Sequence, residues 1–170
     1  MNAALLRSLA GALAIVSALA TAAAAAAPAG ASAPACSYCR MILSDPAYGG
    51  TLRTTNGRLL RYDSIECMAA AVLTDSVPPR RIRAASVVEH EAAHRTLDAA
   101  RAVYLYSPAL QSPMGLGLSA HADSAQALRT RGLGEGLLLG WAQVLERVDL
   151  VWFQGRLDAA GHAKLPATKH

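Results

Sequence analysis

Residues 48–73 read YGGTLRTTNGRLLRYDSIECMAAAVL, and the way this stretch folds decides the architecture of the chain. Asn56-Gly57 lies between two alternating runs, the strongest short hairpin signal available. Asp63-Ser64 then offers an N-cap to the apolar run Ile65–Leu73, and Glu66, three residues after Asp63, suits a capping box. Pro78-Pro79 breaks the chain, and residues 82–88 resume as a β-branched run. Residues 48–101 therefore read β-β-α-β.

The same order returns over residues 102–150. Strands are expected at 102–106 and in the small-residue run 115–120, and Asp123-Ser124 caps a helix through Arg129. Residues 136–144 read as the last strand. The two halves share little identity but agree in element order, so the chain is expected to be α+β, built of two related β-β-α-β units. Residues 89–101 form the crossing between halves and are alanine-rich enough to be helical. Residues 151–170 read as a polar tail.

The ends set the compartment. The chain has 170 residues and a net charge of +4. Residues 1–33 carry one early arginine, a long apolar run of small residues and an Ala31-Ser32-Ala33 cleavage pattern, the anatomy of a secretory signal. The run is nearly long enough to span a bilayer, but its second half is alanine, which gives little transfer energy. Ala33-Pro34-Ala35 before Cys36 makes a poor lipobox, so lipid anchoring is not expected. A periplasmic protein follows, touching the membrane only through its signal. Export, and the lack of a basic block beyond Arg80-Arg81-Ile82-Arg83, argue against nucleic acid as a partner.

Residues 34–47 read as a flexible linker that carries Cys36-Ser37-Tyr38-Cys39-Arg40-Met41. The sequence has three cysteines, Cys36, Cys39 and Cys67, an odd number that leaves a thiol over in an oxidising compartment. Thiolate and thioether are soft donors suited to Cu(I). If residues 39–43 are extended, Cys39 and Met41 share one face, because side chains alternate along a strand. Met114 stands at a Pro-Met-Gly turn and completes a candidate set of Cys39, Met41 and Met114. Other readings stand beside it. Cys-x-x-Cys could be half a zinc site, a disulfide, or the redox pair of a thiol–disulfide oxidoreductase, although such pairs open a helix after a strand. The methionines could be fillers of the core.

CSYCRM at 36–41, YDSIECMAA at 62–70, SPMGLGLSAHADSAQA at 112–127 and GLLLGWAQV at 136–144 resemble the NosL family in order and spacing. That resemblance implies a fold of two β-β-α-β units and a periplasmic copper chaperone without catalysis of its own. Its partners would be an apo copper enzyme, nitrous oxide reductase, and a membrane copper-handling complex. The family's Cys-x-Met motif falls on Cys39 and Met41, and its Pro-Met-Gly methionine on Met114. Arg40 stands where the family usually has glycine. Cys36, Cys67 and His121 are further candidate ligands, and a position near a helix N-terminus predicts a lowered pKa for Cys67.

Residues 90–94 spell HEAAH, the His-Glu-x-x-His pattern of zinc peptidases. It needs both histidines on one helix face and a third ligand, and no suitable third ligand follows in the sequence. The motif reads as accidental, with His90 and His94 left as a possible accessory metal pair. His162 and His170 fall in the tail.

Overall fold

The computed structural model describes residues 34–155, so the expected signal segment at 1–33, His162 and His170 lie outside the described residues. The Asn56-Gly57 turn joins β1 (Gly50–Thr54) to β2 (Leu59–Tyr62) in antiparallel register, Gly50 opposite Tyr62. Gly57 takes φ 85°, the left-handed conformation such a turn demands and glycine adopts without strain. Helix α1 (Ile65–Leu73) follows, then β3 (Ile82–Glu89), which pairs with the other side of β1. The second half repeats the plan with β5 (Val103–Tyr106), β6 (Leu118–His121), α2 (Ser124–Arg131) and β7 (Leu137–Leu139). In each half the first strand is central, giving β2-β1-β3 and β6-β5-β7 with every pairing antiparallel. The two-unit α+β expectation holds at the level of pairing as well as order.

Three elements depart from the sequence reading. Residues 92–98 form β4 (Ala92–Asp98), a fourth strand on the first sheet, where a helical crossing was conceivable. Sheet pairing with β3 outweighs the weak helix preference of two alanines followed by His, Arg and Thr. The strand expected over 136–144 is limited to β7, and Gly140 begins α3 (Trp141–Val148), with the Gln143 side chain accepting from the Gly140 N–H at 2.8 Å. The start of the expected tail continues this helix as a π-helical turn, Asp149–Phe153, which packs Val151 and Trp152 against the core.

Helix α1 is buried over most of its length, and Ile65, Met68 and Ala69–Ala71 meet Leu52, Val87, Tyr104, Leu118 and Val144 in one core. Each large apolar side chain there contributes roughly 1.5–3 kcal/mol relative to exposure. Ser64, not Asp63, is the N-cap of α1, its hydroxyl accepting from the Cys67 N–H at 3.2 Å. Glu66 does not close a capping box: its side chain turns into the protein. That inversion frees Asp63 and Glu66 for other partners.

Candidate metal centre

The centre forms where the chain before β1 folds back on the edge of the first sheet. Residues 36–43, read as flexible linker, are a hydrogen-bonded loop. The Cys36 N–H donates to the Met41 carbonyl at 2.7 Å, the Arg40 N–H to the Cys36 carbonyl at 3.1 Å, and Ala35 bridges to Ile42. Ser37 ties the loop to β2, its N–H donating to the Arg61 carbonyl at 2.7 Å and its hydroxyl accepting from the Arg61 N–H at 3.2 Å. Arg40 has φ 68°, so the loop makes a left-handed turn at the position where the NosL family usually has glycine. A side chain is thus carried on a backbone conformation that favours glycine.

This loop sets Cys36 and Cys39 beside the first turn of α1. Ligand atoms of Cys36, Cys39, Asp63 and Cys67 all lie within 4.8 Å of one another, and among the described residues they are the one such group of three or more. Cys36, Cys67 and Asp63 are buried, Cys39 is half-buried, and all three thiols are free. The Cys39 thiol donates to Asp63 Oδ2 at 3.5 Å, while Asp63 Oδ1 has no hydrogen-bond partner. An orphaned, buried carboxylate oxygen among thiols costs stability unless a proton or cation arrives.

The electrostatics follow from burial. Burial raises the Cys39 thiol, and the Asp63 charge acts the same way against a lowering by the Met41 backbone N–H. Cys67 is raised far above the ordinary thiol range, again by burial first and then by Asp63 and Cys36. The lowered pKa expected at a helix N-terminus is therefore overturned: desolvation of a fully buried thiol outweighs the helix dipole. Tyr62, alongside, is pushed up to about 12 by burial and by the Cys36 and Cys67 charges. Cys39 and Cys67 are thus held protonated in the metal-free protein, and a metal bound by them must release those protons.

The candidate ligands separate. Cys39, Cys36 and Cys67 come together. Cys39 and Met41 do not share a strand face, because the chain turns at Arg40; Cys39 faces Asp63, whereas Met41 is 51 % exposed and Ile42 beside it 62 % exposed. Met114 is half-buried against the core on a turn closed by the Gly115 N–H to the Ser112 carbonyl at 2.9 Å. That turn is anchored to α1: Ser112 donates to the buried Glu66 at 2.5 Å and accepts from the Gly117 N–H at 2.9 Å. Gly117, with φ 66°, is fixed there because a Cβ would stand 2.2 Å from the Ser107 carbonyl oxygen. Asp63 was missed as a site residue. Its place in the Asp63-Ser64 pair assigns it to the cap of α1 when only the sequence is considered.

His121 is not part of the cluster. It is fully buried on β6, its Nε2 2.9 Å from the Ser119 hydroxyl, and its pKa is lowered by burial and by His90. His90 lies with its ring 5.8 Å from that of His121 and 5.0 Å from Tyr48. HEAAH is a hairpin: His90-Glu91 is the turn between β3 and β4, and His94 is exposed on β4. The histidines share no helix face, so the arrangement a zinc peptidase requires is absent from this segment.

A largely buried cluster of soft thiols and a carboxylate, two residues from an exposed thioether and set on paired β-β-α-β units, has the donor set of a metal-handling type of site. No protein-family model and no curated protein sequence matches the chain. Among solved structures, its fold is similar to that of the copper chaperone NosL from Shewanella denitrificans, at a TM-score of 0.58 and 16 % identity. The match covers 69 % of this chain and 94 % of that one. The likeness first read from short motifs is therefore a likeness of fold.

Proposed function

We propose that this protein is a periplasmic Cu(I) chaperone that carries copper to an enzyme being assembled, nitrous oxide reductase being the recipient the motif resemblance suggests. The observation that carries the reading is the convergence of Cys36, Cys39, Cys67 and Asp63 within 4.8 Å, on a fold shared with a copper chaperone. Copper is cargo here. Thiolates select Cu(I) over harder ions, and a univalent ion suits a buried site that resists full ionisation. Two thiolates with one Cu(I) leave a net charge of −1, whereas four ionised ligands around the same ion would leave −3 in a desolvated space.

The graded exposure of the soft atoms suits transfer. Met41 at the surface offers a thioether to incoming or outgoing copper, Cys39 stands behind it, and Cys36 and Cys67 are innermost. Stepwise ligand exchange along that order moves the ion without releasing it to water. Met114 belongs to the proposed set as a second thioether, carried on the loop that Glu66 holds. An oxidoreductase is disfavoured, because the attacking thiol of a Cys-x-x-Cys pair is its first, Cys36, and that thiol is fully buried away from any substrate disulfide.

One observation favours a second reading. Three of the four clustered ligands are buried, as in a closed structural zinc site. Titration of the reduced protein with Cu(I) and Zn(II), followed by X-ray absorption, separates the two. One Cu(I) in a two- or three-sulfur shell, displacing any zinc, supports the chaperone. A four-ligand zinc shell that Cu(I) fails to displace refutes it.

A further inference from the structure

Beside the cysteine loop the surface holds two clefts in series. The first, about 410 Å³, includes Ser37, Tyr38, Arg40 and Arg58 in its lining. The second, about 370 Å³, includes Thr54, Asn56, Arg58 and Arg81. They share Arg58, Leu60, Ser76 and Val77, so the clefts form one groove from the metal-site loop to the start of β3. Three arginines line it and no carboxylate does. None of the three has an ion-pair partner among the described residues.

The last turn of α1 adds little negative potential to the groove. Helix α1 ends on this side, where bare carbonyls would repel an anion. Those of Ala70, Ala71 and Val72 are taken by the N–H groups of Thr74, Val77 and Asp75. Arg40 holds its place at a left-handed residue, a conformation that disfavours any side chain, and the side chain it carries there is cationic.

We propose that this groove is the docking site for an acidic, extended polypeptide segment of the partner that exchanges metal with the cluster. A single small anion needs convergent donors, whereas these arginines are spread along two connected clefts floored by Leu60 and Val77. A chain with alternating carboxylates and small side chains matches both the charge and the floor. Docking there sets the partner beside Cys39 and Met41, so recognition and transfer occupy one face. The inference rests on the chaperone reading for the partner's role, but not for the groove's affinity, which is measured without copper.

The test is fluorescence anisotropy of a labelled octapeptide of alternating glutamate and serine, titrated with reduced, metal-free protein at low and at physiological salt. Wild type should bind, more weakly as salt rises. Arg58→Gln and Arg81→Gln should each weaken binding about two- to fivefold and together roughly tenfold, as exposed charge pairs do. Arg129→Gln, on α2, removes the same charge elsewhere and should leave binding unchanged. Equal loss from Arg129→Gln, or no loss from the groove pair, overturns the proposal. So does displacement of the peptide by equimolar inorganic phosphate, or binding to anionic phosphatidylglycerol vesicles or a single-stranded oligonucleotide as tight as to the peptide. Cu(I) competition on the same variants keeps the two readings apart: the groove variants should retain wild-type copper affinity, which only ligand variants should change.

Discussion

Replacing Arg40 by glycine should make the protein more stable. At φ 68° a residue with a Cβ sits in the left-handed region, at a cost of about 1–2 kcal/mol. Glycine removes that cost but gives the unfolded chain more freedom, which offsets about 0.4–1 kcal/mol. The net gain is roughly 0.5–1 kcal/mol, a rise in Tm of about 1–4 °C for a chain of this size. The Arg40 N–H to Cys36 carbonyl bond is backbone and survives the change. Arg40→Ala is the control, because it deletes the guanidinium while retaining the Cβ; it should fall within about 0.5 kcal/mol of wild type. Urea unfolding of the reduced, metal-free protein measures both. A loss of stability in the glycine variant, or an equal gain in the alanine variant, would refute the idea that backbone strain resides at this turn.

Cys67→Ser should lower Cu(I) affinity at least tenfold, about 1.4 kcal/mol, in competition against a chromogenic Cu(I) chelator, and an unchanged affinity would remove Cys67 from the site. Cu(I) affinity should fall as pH drops through the neutral range, by about one decade per pH unit for each proton released, because burial raises Cys39 and Cys67 and protons compete with the metal; a flat profile between pH 6 and 8 would contradict protonated Cys39 and Cys67 as metal ligands. Ser112→Ala leaves Glu66 and the Gly117 N–H short of a buried partner and should cost about 1–3 kcal/mol in thermal unfolding. His94→Ala, on an exposed strand position, should leave both stability and copper affinity unchanged, and loss of either would give HEAAH a function that its hairpin geometry does not suggest.

The parts of the fold legible in the sequence were those written in local chemistry. Asn56-Gly57 specifies its own turn, and Ser64 followed by an alanine-rich run specifies α1. What the sequence left open depends on contacts between distant segments. Strand β4 exists because β3 offers it an edge, and Gly140 begins a helix because the Gln143 side chain returns to its N–H. The site shows the same division. Soft ligands were visible as residue types, but alternation along a supposed strand put Cys39 and Met41 on one face. A left-handed residue between them puts the one inward and the other outward. Asp63 was hidden because an Asp-Ser pair before a helix has two capping candidates, and the choice of Ser64 is what leaves Asp63 for the thiols. Cys67 was placed correctly near a helix start, yet the sequence does not report how deeply that start is buried.

Strand β2 is an outer strand of its sheet, and the Ser37 backbone and hydroxyl occupy part of its open side through Arg61. The segment that presents Cys36 and Cys39 is therefore also a seal. An uncovered strand edge invites pairing with a neighbouring chain. A delivery route that peeled this segment away would expose a template for self-association at each cycle, and so would oxidation that pulled Cys36 out of its buried seat. A route that moves the ion outward through Cys39 and Met41 leaves the seal closed. On the proposed chaperone reading, colloidal behaviour and cargo handling are thus joined in one short segment, and light scattering while copper is withdrawn reports whether it has lifted.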